Sequence, residues 1–451
     1  MTTERANFGS KLGVILATVG SAVGLGNVWR FPYITGENGG AAFLIIYALC
    51  VVLLGIPCMV SEFIIGRSAQ ANTARAFTKM ADGRPWKWIG YLSVFTGFSI
   101  TCYYAIVSGW CFHYIFAPFT TDLSTPELVK SHFAEFSSNP VTPLLWTLGL
   151  ILICHFIITR GVQKGIEKMS KFFMPMLFVL LLIIVVAACM LPGATKGLEF
   201  LFMPDFSKLT KNSVLAAMGQ SFYSLSLAMG CVCTYASYFS RETNLTRTAV
   251  QISLLDSMVA ILAGMMIFPA AFAVGISPDS GASLVFVTLP NVFNQAFSAM
   301  PVVGTFVSIA FYSLLSLAAL TSLMSLHEVA TAFVHEEFDM SRKKAAAIVT
   351  GVAMVIGAFC SLSLGDWSWL QVAGMSLFDF FDYTTGQILL PIIGFLTCIF
   401  LGWFGPRDRI RAEFTNDGTY KGKLFKCYLF LIKFFCPVAI VLVFLNQLGI
   451  I

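Results

Sequence analysis

Residues 20–32 read Gly-Ser-Ala-Val-Gly-Leu-Gly-Asn-Val-Trp-Arg-Phe-Pro, in the middle of the first long apolar run of the chain. Three of the first seven are glycines, and each costs about 1 kcal/mol relative to alanine inside a helix. One interpretation is an unwound segment whose carbonyls bind a cation and whose amides bind an anion. The other is a helix-packing surface of the small-xxx-small type, formed by Gly20 and Gly24. Asn27 and Arg30 favour the first interpretation, because polar side chains inside membrane spans usually mark a functional site.

The composition around this stretch is that of a membrane protein. Of 451 residues, 57% are hydrophobic and only 11% are charged, whereas a soluble domain carries about 25% charged residues. Lipid is therefore the solvent for most of the chain. The net charge of +5 is small and gives no reason to expect a nucleic-acid partner. The twelve cysteines include no Cys-x-x-Cys pair, so we predict neither a disulfide nor a metal site formed by them.

Apolar runs of about 20 residues predict membrane helices, since the strands of a membrane barrel need only about 10. We predict eleven spans, near residues 11–35, 41–69, 88–118, 142–159, 168–191, 213–239, 248–274, 301–333, 345–363, 376–403 and 425–448. The chain is thus an all-α polytopic membrane protein.

The distribution of basic residues predicts the orientation of these spans. Arginine and lysine are concentrated in the N-terminal tail and in every second loop, whereas the opposite side has only Lys130, Lys196, Lys208 and Lys211. The N-terminus is therefore expected in the cytoplasm, and an odd number of spans places the C-terminus outside.

Several classes of enzyme lack their motifs in this sequence. No Gly-x-x-x-x-Gly-Lys-[Ser/Thr] phosphate loop and no Gly-x-Ser-x-Gly motif is present. His327 and Glu328 would begin a zinc-protease motif, but Thr331 stands where its second histidine belongs. We predict that the protein is not an enzyme.

A second interrupted span lies at residues 220–230, which read Gln-Ser-Phe-Tyr-Ser-Leu-Ser-Leu-Ala-Met-Gly. Hydroxyl groups and a glycine lie at mid-depth here, as in the first span. This span is the first of a possible second set of five. Two interrupted helices at matching places in two halves are typical of an inverted repeat that encloses a binding site.

Three further residues offer oxygen atoms inside predicted spans. Thr321 and Ser322 either bond back to the preceding helical turn or supply ligands to a hard cation. Asp256 needs a partner at membrane depth, and no Lys or Arg lies in its own span. A structural ion pair, a bound Na⁺ and a proton are the alternatives.

Several motifs together resemble the neurotransmitter:sodium symporter family over essentially the whole chain. They are Gly20 to Pro32, Asn38-Gly-Gly-Ala-Ala-Phe43, Gly55 to Glu62 with Gly66-Arg67, Tyr103-Tyr104, the 220–230 run, Thr234 to Tyr238, Ala318 to Ser322 and Leu377 to Asp382. The resemblance implies the LeuT fold, with two inverted five-helix repeats plus an eleventh helix. It divides the chain into a cytoplasmic gate segment at 1–10, repeats at 11–191 and 213–403, and helix 11 at 425–448.

The resemblance also implies two Na⁺ sites and a substrate site. The first Na⁺ site would use Ala22, Asn27, Ser224 and Asp256. The second would use Gly20, Val23, Ala318, Thr321 and Ser322. The substrate would contact Ala22, Val23, Gly24, Leu25, Gly26, Ile100, Tyr104, Tyr223, Ser224, Ser226, Met229, Ser322 and Leu326.

Within the substrate site, the carboxylate would meet the amides of Leu25 and Gly26, the Tyr104 hydroxyl and the first Na⁺. Monoamine transporters of the family carry Asp at the position of Gly24, so the glycine resembles an amino-acid transporter. The implied gates are an outer pair of Arg30 with Asp382, or alternatively Asp379, and an inner pair of Arg5 with Glu336, beside Phe8 and Tyr238.

Two departures from the family pattern concern chloride and pocket size. Chloride-dependent members carry a serine where this chain has Ala260, and Asp256 replaces the usual asparagine ligand. A fixed carboxylate would offset the charge of Na⁺, so no chloride requirement is predicted. Ala228 replaces a frequent glycine in the second interrupted span, which leaves substrate size open.

The expected function is Na⁺-coupled import of a neutral, hydrophobic or aromatic amino acid, or of a related molecule such as an indole. Eleven helices are typical of bacterial members, so the location would be the bacterial inner membrane. Apart from its substrate and membrane lipid, no obligatory partner is expected. The alternatives are a channel and an amino-acid-binding membrane sensor; the sequence contains no soluble signalling module, which argues against the sensor.

Overall fold

The computed structural model describes residues 7–82, 84–123, 125–275, 285–420 and 422–450. Its longer helices, numbered in chain order with the shorter ones, are α1 (Lys11–Ala22), α2 (Gly26–Glu37), α3 (Ala41–Ala69), α5 (Lys87–Thr120), α7 (Thr142–Ile158), α8 (Val162–Cys189), α10 (Lys211–Ser224), α12 (Leu245–Ala273), α14 (Pro301–Glu337), α15 (Arg342–Leu362), α16 (Leu377–Phe404) and α18 (Phe425–Gln447). The shorter ones are α4 (Thr73–Ala81), α6 (Pro126–Ser138), α9 (Ala194–Phe202), α11 (Cys231–Ala236), α13 (Thr288–Ala296) and α17 (Arg407–Thr415).

The first predicted span is broken at residues 23–25, which we call the first break. Ser10 caps α1 by accepting a hydrogen bond from the Gly13 amide at 2.9 Å. The helix then ends where Val23 adopts an extended conformation with ψ 106°. The chain resumes as α2, which is bent by 56° relative to α1. The glycine-rich stretch therefore unwinds.

The predicted sixth span is broken over residues 225–230, the second break. Ser226 and Ala228 have positive φ angles of 52° and 69°, and Gly230 has 81°. The two halves, α10 and α11, have only 14 and 6 residues. By length and composition, eight helices in the described ranges can cross a membrane, or ten if two bent pairs count as single spans. The sixth span is not among them, because its two halves are each too short to cross a membrane and six residues separate them.

Replacing Ala228 by glycine is expected to stabilise the protein. The left-handed conformation costs a non-glycine residue about 1–2 kcal/mol. Glycine avoids this cost, and its greater conformational entropy in the unfolded chain offsets only part of the gain. Ala228→Gly should therefore raise the midpoint of thermal unfolding in detergent. Ala263→Gly, within the regular helix α12, should lower it by removing about 1 kcal/mol. A midpoint for Ala228→Gly at or below that of the parent protein would contradict the strain at this residue.

Helix α14 lies at the centre of the molecule and packs against α1, α5, α8 and α15. Most of its 37 residues are buried. Helix α12 contacts α2, α3 and α8, whereas α18 packs on α16 and α10. Both breaks therefore lie beside α14 in the interior, where their backbone groups are shielded from lipid.

One buried ion pair joins the C-terminal ends of α3 and α17. The Arg67 guanidinium of α3 donates to the Glu413 carboxylate of α17 at 2.6 Å, and Arg67 is only 1% exposed. Arg241 binds the other oxygen of Glu413. Arg67 thus anchors the α17 segment, whereas Gly66 packs closely on α11, where a Cβ atom would collide with the Cys233 carbonyl.

A two-residue hairpin precedes α16. Gln371–Val372 pairs antiparallel with Met375–Ser376, and Gln371 lies opposite Ser376. Ala373 and Gly374 both have positive φ, as the tight hairpin turn requires. Its last residue, Ser376, also caps α16 by accepting a hydrogen bond from the Asp379 amide at 3.1 Å.

Candidate functional site

The two breaks bring together three polar side chains from three helices. The Asn27 amide donates to the Asp256 carboxylate at 2.8 Å and to the Ser224 hydroxyl at 3.1 Å. Ser224 in turn donates to the other Asp256 oxygen at 2.7 Å. All three side chains are buried. We call this group the Asp256 cluster.

The neighbours of Asp256 bear on how the negative charge of this buried carboxylate is balanced. Among the described residues, no Lys, Arg or His nitrogen forms an ion pair with Asp256, so the structural ion pair is not seen there. The donors around it are neutral hydroxyl and amide groups. Carboxylate, hydroxyl and amide oxygens are the ligands that a hard cation prefers. Binding a cation here would require the Asn27 amide to present its oxygen, which now accepts from the Gly24 amide at 3.1 Å.

A second group of oxygen atoms lies between the first break and α14. The Thr321 hydroxyl donates to the carbonyls of Leu317 and Ala318, at 3.1 and 3.0 Å. The Ser322 hydroxyl donates to the Val23 carbonyl at 3.3 Å. The predicted back-bonding is therefore present at Thr321, whereas Ser322 bonds across to the first break.

Gly20 permits this close packing of α1. A Cβ atom at Gly20 would lie 3.3 Å from the Thr321 Cβ and 3.2 Å from the Met174 sulfur. Both interpretations of the glycine stretch therefore apply, each to a different part of it. Gly20 packs closely on its neighbours, and the residues after Ala22 unwind. Gly20, Val23, Ala318, Thr321 and Ser322 are brought into one region.

A small central cavity lies between the breaks. Its lining consists of Ser21, Ala22, Gly24, Leu25, Gly26, Ile100, Tyr104, Tyr223, Ser224, Ser226, Met229, Ser322, Ser325 and Leu326. Twelve of the thirteen predicted substrate contacts are in this set. Val23 is not, because its side chain is fully buried behind the break. No side chain in the lining carries a charge.

Sequence reasoning missed Ser21 and Ser325. Ser21 directly precedes the predicted Ala22, and Ser325 lies one helical turn after Ser322 on the same face of α14. That i, i+3 spacing is the signal that could have identified Ser325. Nothing local distinguishes Ser21 from the other small residues of its helix.

The Tyr104 hydroxyl of α5 supports the first break from the side of the cavity. It accepts a hydrogen bond from the Leu25 amide at 3.3 Å. A Cβ atom at Gly24 would lie 3.0 Å from this hydroxyl and 2.7 Å from the Ser322 hydroxyl. The break is therefore enclosed by hydroxyl groups with no space for a side chain at residue 24.

Glu62 of α3 supports the second break. One carboxylate oxygen accepts a hydrogen bond from the Ala228 amide at 2.6 Å, and Glu62 is buried. The side chain thereby satisfies a backbone group that the break removes from the helix. It also holds the segment that supplies Ser226 and Met229 to the central cavity.

Shortening Glu62 should weaken ligand binding more than neutralising it. Glu62→Ala leaves the buried Ala228 amide without its acceptor, which costs about 1–3 kcal/mol, so the affinity of the central cavity for its ligand should fall about tenfold. Glu62→Gln retains an oxygen for that bond and should lose less than about threefold. Radioligand binding to purified protein measures both. Equal losses in the two variants would show that the charge, not the hydrogen bond, is what the site needs.

A second cavity lies on the far side of Tyr223. Its lining includes Trp29, Arg30, Tyr33, Tyr103, Asp379, Asp382 and Gln387. The Arg30 guanidinium lies 4.5 Å from the centre of the Tyr223 ring. Tyr223 lines both cavities, as do Leu25, Gly26 and Tyr104, so these four residues lie between them.

Of the two candidate gate acids, Asp379 is engaged by its own helix. Its carboxylate accepts from the Ser376 hydroxyl at 2.7 Å. Asp382 lies beside Tyr103 and interacts electrostatically with Arg30. In the described ranges, neither acid lies within 4 Å of an Arg30 nitrogen.

The predicted inner gate is only partly described, since Arg5 lies outside the described residues. The Glu336 carboxylate accepts from the backbone and side-chain nitrogens of Asn72, at 2.8 and 3.1 Å. The Phe8 ring packs edge-on against Tyr238, and the Phe8 amide donates to the Tyr238 carbonyl at 3.1 Å.

Two inner contacts were not foreseen from the sequence. The Tyr238 hydroxyl donates to Glu328 at 2.6 Å, and Arg342 binds both oxygens of the same carboxylate. Glu167 of α8 holds the start of α1 by accepting from the Gly9 amide at 2.7 Å and the Ser10 hydroxyl at 2.9 Å. The start of α1 is thus tied to α8.

Comparison with known proteins gives consistent matches over nearly the whole chain. The model of the sodium:neurotransmitter symporter family matches residues 5–139 and 136–450. The sodium-dependent transporter YhdH of Bacillus subtilis (strain 168) is 37% identical over 98% of this chain and 97% of its own length. The rat sodium- and chloride-dependent GABA transporter 2 is 27% identical over 96% of this chain and 79% of its own.

Among solved structures, that of MhsT in complex with L-phenylalanine is similar, with a TM-score of 0.87 and 41% sequence identity. The match covers 98% of this chain and all of the MhsT chain.

Proposed function

Because this chain belongs to the sodium:neurotransmitter symporter family, we propose that it imports a neutral, hydrophobic or aromatic amino acid together with Na⁺, by alternating access. Family membership makes it a Na⁺-dependent multi-pass membrane transporter with the LeuT fold, and not an enzyme. The resemblance to this family is thus confirmed. To this we add the substrate class, the ion sites and the orientation.

The proposed substrate class rests on one observation: no side chain that lines the central cavity carries a charge. A Cβ atom at Gly24 would meet two hydroxyl groups within 3.0 Å, so the break cannot accommodate an acidic side chain for an amine. The lining offers no charge to pair with a charged side chain. The apolar residues Ile100, Met229 and Leu326 suit a hydrophobic side chain, and the similar MhsT structure contains L-phenylalanine.

The first Na⁺ is assigned to the Asp256 cluster, with the Ala22 carbonyl as a further ligand. Its oxygen set suits a hard cation, and its neighbours Ala22 and Ser224 also line the central cavity. A substrate carboxylate at the Leu25 and Gly26 amides would then lie close to that ion. Since each ligand stabilises the other, each raises the other's affinity by the same factor. That reciprocal effect would couple the two fluxes.

The second Na⁺ is assigned to the region of Gly20, Val23, Ala318, Thr321 and Ser322. It joins α1 to α14, so an ion there would stabilise one arrangement of the two helices over another. Arg30 with Asp382 on the outer side and Glu336 with Arg5 on the inner side would close the two ends alternately. Asp382 is preferred to Asp379, because Asp379 already binds Ser376.

The remaining assignments concern topology and chloride. The N-terminus is placed in the cytoplasm of a bacterial cell and the C-terminus outside its inner membrane. The two repeats are placed at 11–191 and 213–403. Asp256 provides a fixed negative charge and Ala260 provides no hydroxyl, so transport should proceed without chloride.

Uptake into proteoliposomes tests the proposal. A panel of labelled leucine, methionine, phenylalanine, tyrosine and tryptophan is offered with and without an inward Na⁺ gradient, in chloride and in gluconate. At least one amino acid should accumulate when Na⁺ is present, to the same extent in both anions. Na⁺-dependent binding without accumulation would indicate a sensor, and a flux far above a cycle-limited rate would indicate a channel.

A further inference from the structure

Two serines that line the central cavity, one on α1 and one on α14, are joined by a hydrogen bond. The Ser21 hydroxyl of α1 donates to the Ser325 hydroxyl of α14 at 2.8 Å, and Ser325 donates to the Ser322 carbonyl at 2.8 Å. Both residues line the cavity. We call them the serine pair.

Each of the five serines that line the cavity donates its hydroxyl hydrogen to an acceptor within the protein. Besides the serine pair, Ser226 donates to the Ser21 carbonyl at 2.9 Å, and Ser322 donates to the Val23 carbonyl. Ser224 donates to Asp256. A hydroxyl has one hydrogen and two acceptor lone pairs. What these serines can offer a ligand is therefore lone pairs.

The described residues do not use all the lone pairs of the serine pair. The two oxygens have four between them, and one accepts the Ser21 hydrogen. The Cys231 thiol lies beside both serines, and its single hydrogen can occupy at most one more. Two lone pairs are left for a donor on a ligand.

The neighbouring lining determines what kind of donor can reach the pair. Ile100, Met229 and Leu326 are apolar and line the same cavity. A side chain in this cavity therefore meets apolar surface over most of its area, together with acceptors at the serine pair. An aromatic ring that bears one N–H or O–H group matches this combination, whereas a phenyl ring leaves the acceptors without a donor.

We propose that Ser21 and Ser325 are specificity-determining residues that favour an aromatic amino acid whose side chain carries a hydrogen-bond donor, an indole N–H or a phenol O–H. The proposal rests on the proposed function and defines its substrate class more narrowly. It separates tryptophan and tyrosine from phenylalanine, which has the same apolar character but no donor.

Matched ligand pairs test this in the intact protein. Na⁺-dependent affinities are measured on purified protein for tryptophan and its benzothienyl isostere, in which sulfur replaces the N–H, and for tyrosine and phenylalanine. Tryptophan should bind about tenfold more tightly than its isostere if the indole donor is the one recognised, and tyrosine about tenfold more tightly than phenylalanine if the phenol is. This comparison needs no variant.

The double variant Ser21→Ala, Ser325→Ala then assigns the preference to the serine pair. In this variant, the affinity ratio within the ligand pair that shows the preference should fall to within twofold of one. The phenylalanine affinity should change less than threefold, which would also show that the variant is folded. Ser253→Ala is the matched control, because this serine is buried in α12, away from the cavity, and its hydroxyl has no partner among the described residues. It should leave both ratios unchanged.

The outcomes separate the two levels of the proposal. Na⁺-dependent binding of all four ligands with equal affinity within each pair would overturn the role of the serine pair and leave the proposed function standing. So would a preference that survives in the double variant. If no ligand binds in a Na⁺-dependent manner, the proposed function is wrong and this inference falls with it.

Discussion

Na⁺ affinity should fall at least about 100-fold when Asp256 is replaced by asparagine. The carboxylate is the only charged group of the Asp256 cluster as the structure describes it, and Asn27 and Ser224 bind both of its oxygens. A unit charge at about 4 Å is worth about 4 kcal/mol at an effective dielectric constant near 20. Each 1.4 kcal/mol is a factor of ten. Na⁺-dependent binding and uptake, measured as a function of Na⁺ concentration, report the change.

Reciprocal coupling supplies a second readout for Asp256→Asn. If the first ion and the substrate contact one another, loss of Na⁺ affinity should lower substrate affinity at fixed Na⁺ and leave the Na⁺-free binding unchanged. Asp205→Asn, at an exposed acid outside the membrane helices, is the control for a change of net charge. A Na⁺ dependence that is unchanged in Asp256→Asn would place the coupling ion elsewhere.

The chloride hypothesis can be tested on the same variant. Asp256→Asn alone should not be rescued by chloride, because Ala260 offers no donor to an anion. Adding Ala260→Ser supplies a hydroxyl one turn along α12, so uptake by the double variant should become chloride-dependent. Chloride dependence of the parent protein would instead show that the carboxylate does not offset the charge of Na⁺.

Substrate affinity should fall about 10- to 100-fold when Gly24 is replaced by alanine. The added methyl group would lie 2.7 Å from the Ser322 hydroxyl and 3.0 Å from the Tyr104 hydroxyl. These two hydroxyls bind the backbone of the first break at Val23 and Leu25. Overpacking of this kind costs about 1–3 kcal/mol. The backbone that would receive the substrate carboxylate must therefore shift.

Gly149→Ala is the matched control for this substitution. Gly149 lies inside the helix α7, and a Cβ atom there would have no heavy atom within 4 Å among the described residues. Its uptake should equal that of the parent protein, and its thermal stability should rise slightly, since alanine is the better helix former. Normal substrate affinity in Gly24→Ala would show that the first break can move without loss of the site.

The sequence alone was sufficient for the features that depend on local composition. Runs of apolar residues predicted helices in lipid, and the clustered glycines at 20–26 predicted the first break. The hydroxyls and glycine near residue 224 indicated the second. Resemblance to one family then predicted twelve of the cavity residues that the structure brings together.

Features that depend on distant partners needed the tertiary structure. Ser21 and Ser325 are 304 positions apart and Glu62 and Ala228 are 166 apart, and each pair meets only because distant segments pack together. The family resemblance had placed Asn27 with Asp256, 229 positions away, but only the structure shows which atoms of the two side chains bond. Hydrophobic periodicity shows which face of a helix is apolar. It carries no information on which atoms of two faces meet, because that is decided by close packing of the whole bundle.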